Sequence, residues 1–193
     1  KRIIEIGSGF STYLSAEACV LNMEKDGVNT ELIAIEPFPN YILRKGFPGL
    51  SKLIEKPIEQ GGVDFFRILE AYDILFIDST DVVNIGGDVK YVYLEILPRL
   101  RNGVIIHSHD IFFPGEYPRK WIFDNHWFWT EQYLLQAFLA FNNAFEILWA
   151  SQYMTRKYPD ELRLMFPSFR DISLRDLKFN AALGPGSLWI RRK

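Results

Sequence analysis

Three side chains at the ends of two apolar runs carry the chemistry to hold a cation or move a proton. Asp78 closes the run Ile74 to Ile77, and His109 with Asp110 follows the run Val104 to His107. In open α/β sheets, ligands bind outside the carboxyl ends of the strands, where these residues would be neighbours. Two carboxylates and an imidazole form a mixed oxygen and nitrogen donor set for a divalent ion, Mg²⁺ or, with the imidazole weighing in, Mn²⁺. The plainer alternatives are that Asp78 caps the next loop and that His109 is a half-buried structural histidine. His107 shares a face with His109 but lies inside the run, so it reads as core before it reads as catalytic.

A second constellation lies near the start. Glu5-Ile6-Gly7-Ser8-Gly9-Phe10-Ser11 joins the first apolar run to the first helical pattern. Glycines at that junction let the backbone turn sharply and approach a ligand closely. Gly7, Ser8, Gly9 and Ser11 are therefore candidate cofactor contacts. Glu36 ends the second run, where an acidic side chain takes both hydroxyls of a ribose. These features also suit a nicotinamide enzyme, but two observations favour S-adenosylmethionine. The third glycine of the dinucleotide fingerprint is missing, because Phe10, Ser11 and Thr12 follow Gly9. Glu5 also puts a carboxylate inside a strand, a costly position unless it anchors a cation such as the ammonium of a methionine moiety.

The segment Phe112 to Tyr133 holds nine aromatic residues in 22 positions, against 16% aromatic over the chain. Rings with nearby Glu116, Asp124 and Glu131 suit an acceptor pocket, since apolar faces pack on rings while carboxylates bind hydroxyls. A core or a surface between two copies of the chain would use the same rings.

The elements that must position these groups alternate. Strand-like runs are Ile3 to Ile6, Leu32 to Ile35, Leu53 to Ile58, Ile74 to Ile77, Val104 to His107, Phe145 to Ala150 and Ser187 to Ile190. Helical patterns separate the early ones. Ser11 to Glu24 shows Leu14, Ala18 and Leu21 on one face, with Ser11 or Thr12 as N-cap. Val89, Val92, Tyr93, Ile96, Leu97 and Leu100 make a second apolar face, kinked by Pro98 and ended by Gly103. Thr130 caps a helix through Phe141. Alternation of this kind predicts an α/β fold with a mostly parallel sheet. Residues 152–186 read as an insertion with some helix within a single domain.

The 193 residues are enough for one buried core, and 48% hydrophobic with 24% charged is ordinary globular composition. The net charge of -2 offers no basic face for nucleic acid. No apolar stretch approaches the roughly 20 residues of a membrane span. Cys19 is the single cysteine, which fits a reducing, cytoplasmic setting. Lys1 is not an initiator methionine, so the chain reads as a fragment whose N-terminal leader is left open.

The string Glu5 to Thr12 resembles the first motif of class I S-adenosylmethionine-dependent methyltransferases. Leu75 to Thr80, Gly87 to Val89, Leu97 to Leu100, Gly103 to Phe112, Glu116 to Pro118 and Glu131 to Leu135 are similar to one group within them, methyltransferase domain 24. The likeness spans roughly residues 3–153. It implies a Rossmann-like, seven-stranded sheet with the last strand antiparallel. It also implies methyl transfer to the hydroxyl of a small molecule such as a sugar or glycoside, with metal assistance in some members. By position Asp78 would serve both cofactor and metal, with His109 and Asp110 as the other metal ligands. Asp81 stands where relatives often carry a histidine base, so the resemblance leaves the proton acceptor among Asp81, His107 and His109. By that likeness the sequence begins at the first strand, without the N-terminal helices expected to close such cofactor sites. A small-molecule acceptor is the expected partner, with a homo-oligomer allowed. The alternatives are a catalytically silent cofactor-binding domain and a nicotinamide oxidoreductase.

Overall fold

The computed structural model describes residues 1–166 and 185–193. Seven strands form one sheet among them, in the order β3-β2-β1-β4-β5-β7-β6. β1 (Arg2–Ile6), β2 (Glu31–Ile35), β3 (Lys52–Ile54), β4 (Ile74–Ile77) and β5 (Ile105–His109) run parallel. β7 (Ser187–Arg192) runs antiparallel to β5 and to β6 (Phe145–Ala150). This is the α/β, Rossmann-like arrangement with an antiparallel last strand that the alternating pattern and the resemblance predict. The central strands bury side chains on both faces because both are covered. Ile4, Leu75 and Ile106 are fully buried, and each such side chain contributes about 1.5–3 kcal/mol of burial.

The helix α1 (Phe10–Asp26) departs from its predicted orientation. It buries Thr12, Ala16 and Cys19, while Leu14 is 68% exposed and Leu21 is also exposed. Small residues win the inward face because α1 lies close to its neighbours: a Cβ on Gly49 would sit 2.2 Å from the Ala16 carbonyl oxygen. Ala16 and Cys19 pack on Leu32 of β2. The helix also starts earlier than predicted. Gly9 is its N-cap, and Thr12 Oγ1 accepts from the Gly9 N–H at 3.0 Å.

The second predicted apolar face is buried as expected, but its helix is irregular. α3 (Asp88–Tyr91) passes into a π-helical turn at Val92–Ile96 and a 3₁₀ turn at Leu97–Arg99. Pro98 lacks an N–H and its ring crowds the carbonyl four residues back, so a regular helix cannot continue. The helix stops at Arg99, so Gly103 belongs instead to the turn entering β5, with its φ at +87°.

α2 (Tyr41–Lys45) follows β2, and α4 (Arg119–Phe123) lies in the aromatic segment. α5 (Glu131–Leu139) has Thr130 as N-cap, but the Thr130 hydroxyl caps nothing there; it accepts from the Val83 N–H at 2.8 Å. α6 (Ser151–Lys157) and α7 (Pro159–Met165) occupy the start of the predicted insertion, whose remainder lies outside the described residues. No helix among the described residues is long and apolar enough to cross a membrane.

Candidate active site

Parallel strands bring their carboxyl ends to one edge, and the predicted site residues gather there. At the centre Gly7 is held between two strands. Its N–H donates to the Ile35 carbonyl at 3.0 Å, and the Asp78 N–H donates to the Ile6 carbonyl at 2.9 Å. Gly7 has φ +87°, and a Cβ on it would lie 1.7 Å from the Asp78 carbonyl oxygen. Only glycine fits, so the end of β4 can rest against the turn after β1.

A cleft of about 560 Å³ opens beside this turn, lined by Gly7, Ser8, Glu36, Phe38, Asp78 and Asp88 among others. Glu36 is oriented by two donors: the Phe38 N–H at 2.8 Å and the Ser8 hydroxyl at 3.3 Å. Asp88 accepts from the Thr80 N–H at 3.0 Å and hydroxyl at 2.7 Å, which steadies the loop after β4. A Cβ on Gly9 would touch no protein atom, so the start of the 17-residue α1 is open to a ligand.

Glu5 is fully buried in β1. The Ser11 hydroxyl donates to its Oε1 at 2.6 Å, while Oε2 has no partner. Burial is the largest influence on this carboxyl and, against the Ser11 and Thr12 hydrogen bonds, raises its pKa to about 6. A buried carboxylate with one bare oxygen fits a cationic ligand group. With the oriented Glu36 carboxylate at the end of β2 and the open helix start, these donors are of the kind that S-adenosylmethionine, with its ammonium and ribose hydroxyls, would need.

On the other side of Asp78 lies an acidic set. His109 Nδ1 is 3.3 Å from Asp110 Oδ1 and 3.8 Å from Asp78 Oδ1. These contacts are electrostatic, since the buried Nδ1 has no well-aligned hydrogen bond. Polar contact with Asp110 raises the His109 pKa above its ordinary value, and burial raises that of Asp78. The expectation that Asp78, His109 and Asp110 chelate a divalent ion is not supported. Among the described residues no group of three or more His, Cys, Asp or Glu side chains is placed to hold one. The imidazole Nδ1 faces both carboxylates. The geometry therefore supplies no step through Mg²⁺ or Mn²⁺.

His107 is sandwiched between Phe76 at 4.1 Å and Trp189 at 4.5 Å, centroid to centroid. Burial drives its pKa down to about 3, so the ring is neutral. That is the environment of a core residue.

Asp81 stands apart from the other candidates. It is 7% exposed and holds a left-handed backbone with φ +59°. The Thr130 and Glu131 N–H groups donate to its carbonyl at 2.8 and 3.0 Å. The first turn of α5 thus pins the loop after β4. Burial, then the neighbouring Glu131, Asp110 and Asp78 charges, raise the Asp81 pKa to about 8. Glu131 is itself buried and raised to about 8, chiefly by burial. The Tyr93 hydroxyl donates to Glu131 Oε1 at 2.6 Å and lies 3.0 Å from Ser108 Oγ, whereas Glu131 Oε2 has no partner. In the sequence Tyr93 is legible only as one more residue of an apolar face. The clue is its hydroxyl, which in a core must find a partner.

The aromatic segment divides. Phe112 and Tyr117 are buried, held by Gln132, whose Oε1 accepts from the Phe112 N–H at 3.1 Å and whose backbone N–H donates to the Tyr117 hydroxyl at 3.0 Å. Trp121 meets Phe112, Trp127 and Trp129, and Trp127 stacks on Trp129 with planes 8° apart. Phe123, Trp127, Phe128 and Tyr133 are exposed. Of the predicted hydroxyl-binding carboxylates, Glu131 is inside the protein, and Glu116 is engaged by the Tyr133 hydroxyl at 2.6 Å.

Residues 4–111, more than half of the chain, match the model of the methyltransferase domain 24 family, described as a methyltransferase domain. A stretch of 71 residues, 36% of the chain, is 37% identical to an uncharacterised protein of Archaeoglobus fulgidus. That match covers 31% of the relative's length.

Proposed function

Because the chain belongs to the methyltransferase domain 24 family, we propose that it transfers the methyl group of S-adenosylmethionine to a hydroxyl of a small molecule. One observation carries the choice of a hydroxyl. Asp81, a buried carboxyl group whose pKa is raised to about 8, feels the charge of Asp78, which lines the cleft. A base is most effective when its pKa is near the working pH, and an alcohol or phenol must lose its proton during transfer.

In this reading Glu5 holds the ammonium of the cofactor and Glu36 its ribose hydroxyls. Gly7, Ser8, Gly9, Ser11 and Asp78 shape the cleft between them. The bound cofactor supplies an electrophilic methyl group. Asp81 Oδ takes the proton of the acceptor hydroxyl, a contribution of roughly 10²–10⁴-fold for a positioned base. His109, held toward its protonated form by Asp110, offsets the negative charge developing on the acceptor oxygen. The aromatic segment excludes water and packs the apolar face of the acceptor. A cytoplasmic setting belongs to the same reading, supported by the lone buried thiol of Cys19.

The test is formation of S-adenosylhomocysteine with a panel of glycosides, catechols and other hydroxyl compounds. Turnover with a hydroxyl acceptor that falls in Asp81→Asn is the expected result. Tight cofactor binding without turnover across the panel would favour the catalytically silent alternative.

A further inference from the structure

The crossover from β3 to β4 contains no full helix. Gly61 and Gly62, the latter with φ +77°, divide it into two short 3₁₀ turns, Ile58–Gln60 and Val63–Ile68. These turns cover the sheet incompletely beside β3, a three-residue strand at its edge. A second cavity of about 410 Å³ remains there, in the size range of small-molecule sites.

Its walls are largely apolar and include Leu53, Ile54, Ile58, Phe65 and Phe66. Phe66 is buried and meets Phe65 edge to face, with centroids 5.4 Å apart, while Phe65 is only partly buried. A ring left half open in a cavity can pack another ring. Charge adds a second constraint. Glu55, also in the lining, is engaged by Arg44 at 3.0 Å. Lys52 and Lys56 line the cavity too; both are exposed, and neither makes an ion pair among the described residues. An apolar space beside two unpaired lysines fits an aromatic carboxylate better than a neutral or cationic molecule.

The cavity is not isolated from the cofactor cleft. Ile35, Pro57 and Ile58 line both. The carbonyl of Ile54, in one wall, accepts from the Glu36 N–H at 3.0 Å. A ligand packed on Ile54 and Ile58 therefore steadies the main chain that carries Glu36.

We propose that this cavity binds a small aromatic carboxylate and that its occupancy tightens the neighbouring cleft on the cofactor. The second half rests on the cofactor reading above; the first does not. The coupling is reciprocal, so the cofactor tightens the acid by the same factor.

The experiment titrates the full chain by calorimetry with phenylacetate and indole-3-acetate, with phenylacetamide and indole-3-acetamide as neutral controls. Each is run with and without S-adenosylhomocysteine. Saturable binding of at least one acid is expected, about tenfold tighter than its amide and weakened by salt, because the lysines are exposed. The double variant Lys52→Gln/Lys56→Gln should bring the acid down to the affinity of the amide. Leu53→Trp, which fills the cavity, should abolish binding of both. S-adenosylhomocysteine should bind about fivefold tighter when the acid is saturating, the low end of ordinary coupling between sites. Melting curves check that the variants fold, and the surface lysine pair decides the matter if Leu53→Trp does not. No binding of either acid, equal affinity for acid and amide, or full acid affinity in the lysine variant would overturn the site. Acid binding that leaves S-adenosylhomocysteine affinity unchanged would overturn the coupling. If the acid binds as expected and S-adenosylhomocysteine does not bind at all, the methyltransferase reading fails and the site stands.

Discussion

Glu131 donates its backbone N–H to the Asp81 carbonyl at 3.0 Å, so two buried acids, each titrating at about 8, are tied together by one main-chain hydrogen bond. Beyond burial, the largest cause, the Glu131 charge raises the pKa of Asp81, and Asp78 and Asp110 raise both, so the pair gives up its protons in coupled steps. Near neutral pH at least one proton stays on the pair. The first turn of α5 is therefore the device that holds a base close to its useful range.

Activity should consequently rise with pH through about 8, as Asp81 loses its proton. In Asp81→Asn the rate should fall roughly 10²–10⁴-fold and lose this rise. Rate against pH at saturating cofactor checks both. An unchanged profile in Asp81→Asn would remove Asp81 from the reaction.

Stability should move the other way. The ordinary values of Asp81 and Glu131 are 3.8 and 4.5, and both are raised to about 8 in the folded protein. Between those limits the folded chain holds more protons than the unfolded one, so stability falls as pH climbs from about 4 to 8 and then levels. Glu131→Gln should flatten that slope. Thermal melting across this range measures it, and a slope that survives both Glu131→Gln and Asp81→Asn would rule out these two acids as its cause.

Cofactor binding should depend on Glu36, which Phe38 and Ser8 hold in place. Glu36→Ala should weaken S-adenosylhomocysteine by about 1.5–3 kcal/mol, the range for hydrogen bonds to a charged group. Calorimetry on the folded variant decides, and wild-type affinity would show that the ribose lies elsewhere.

Gly7→Ala should be severe. The added carbon meets the Asp78 carbonyl oxygen at 1.7 Å on a backbone with φ +87°, so the turn after β1 and the end of β4 must separate. A loss of more than about 2 kcal/mol of stability is expected, together with cofactor binding. Melting and titration of the variant test it; wild-type behaviour in both would contradict the close packing.

The sheet was legible because its strands carry short apolar runs, several of which end on chemically distinctive residues. Glu5, Gly7, Glu36, Asp78, His109 and Asp110 all lie at the edge where strand order predicts them. What escaped the sequence was set by distance between helix and sheet and by side-chain pairing. The burial of Ala16 and Cys19 in place of Leu14 and Leu21 depends on how near α1 lies to the Gly49 turn. The raised Asp81 pKa depends on burial and on Glu131, which is far from it along the chain. The metal expectation finds no support among the described residues. Residue types told which donors were present, but not that His109 would turn onto Asp78 and Asp110.

The tryptophans allow one prediction that separates packing from recognition. Trp121 contacts three other rings, including buried Phe112, so it holds the aromatic segment together. Trp127 lies on the outer side of the same stack, 45% exposed and parallel to Trp129. Truncating a half-buried ring costs less than the ~3–5 kcal/mol of a core tryptophan, but Trp121→Ala should still lower the melting temperature clearly. Trp127→Ala should leave folding and S-adenosylhomocysteine affinity intact, because little of its surface is needed by the core. If the exposed stack packs the acceptor, Trp127→Ala should raise KM for that compound with kcat nearly unchanged, the signature of lost uniform binding. Melting curves and steady-state kinetics on the two variants decide the matter. Unaltered KM in Trp127→Ala would move the acceptor away from the tryptophan stack, and loss of folding in both variants would make the whole segment part of the core.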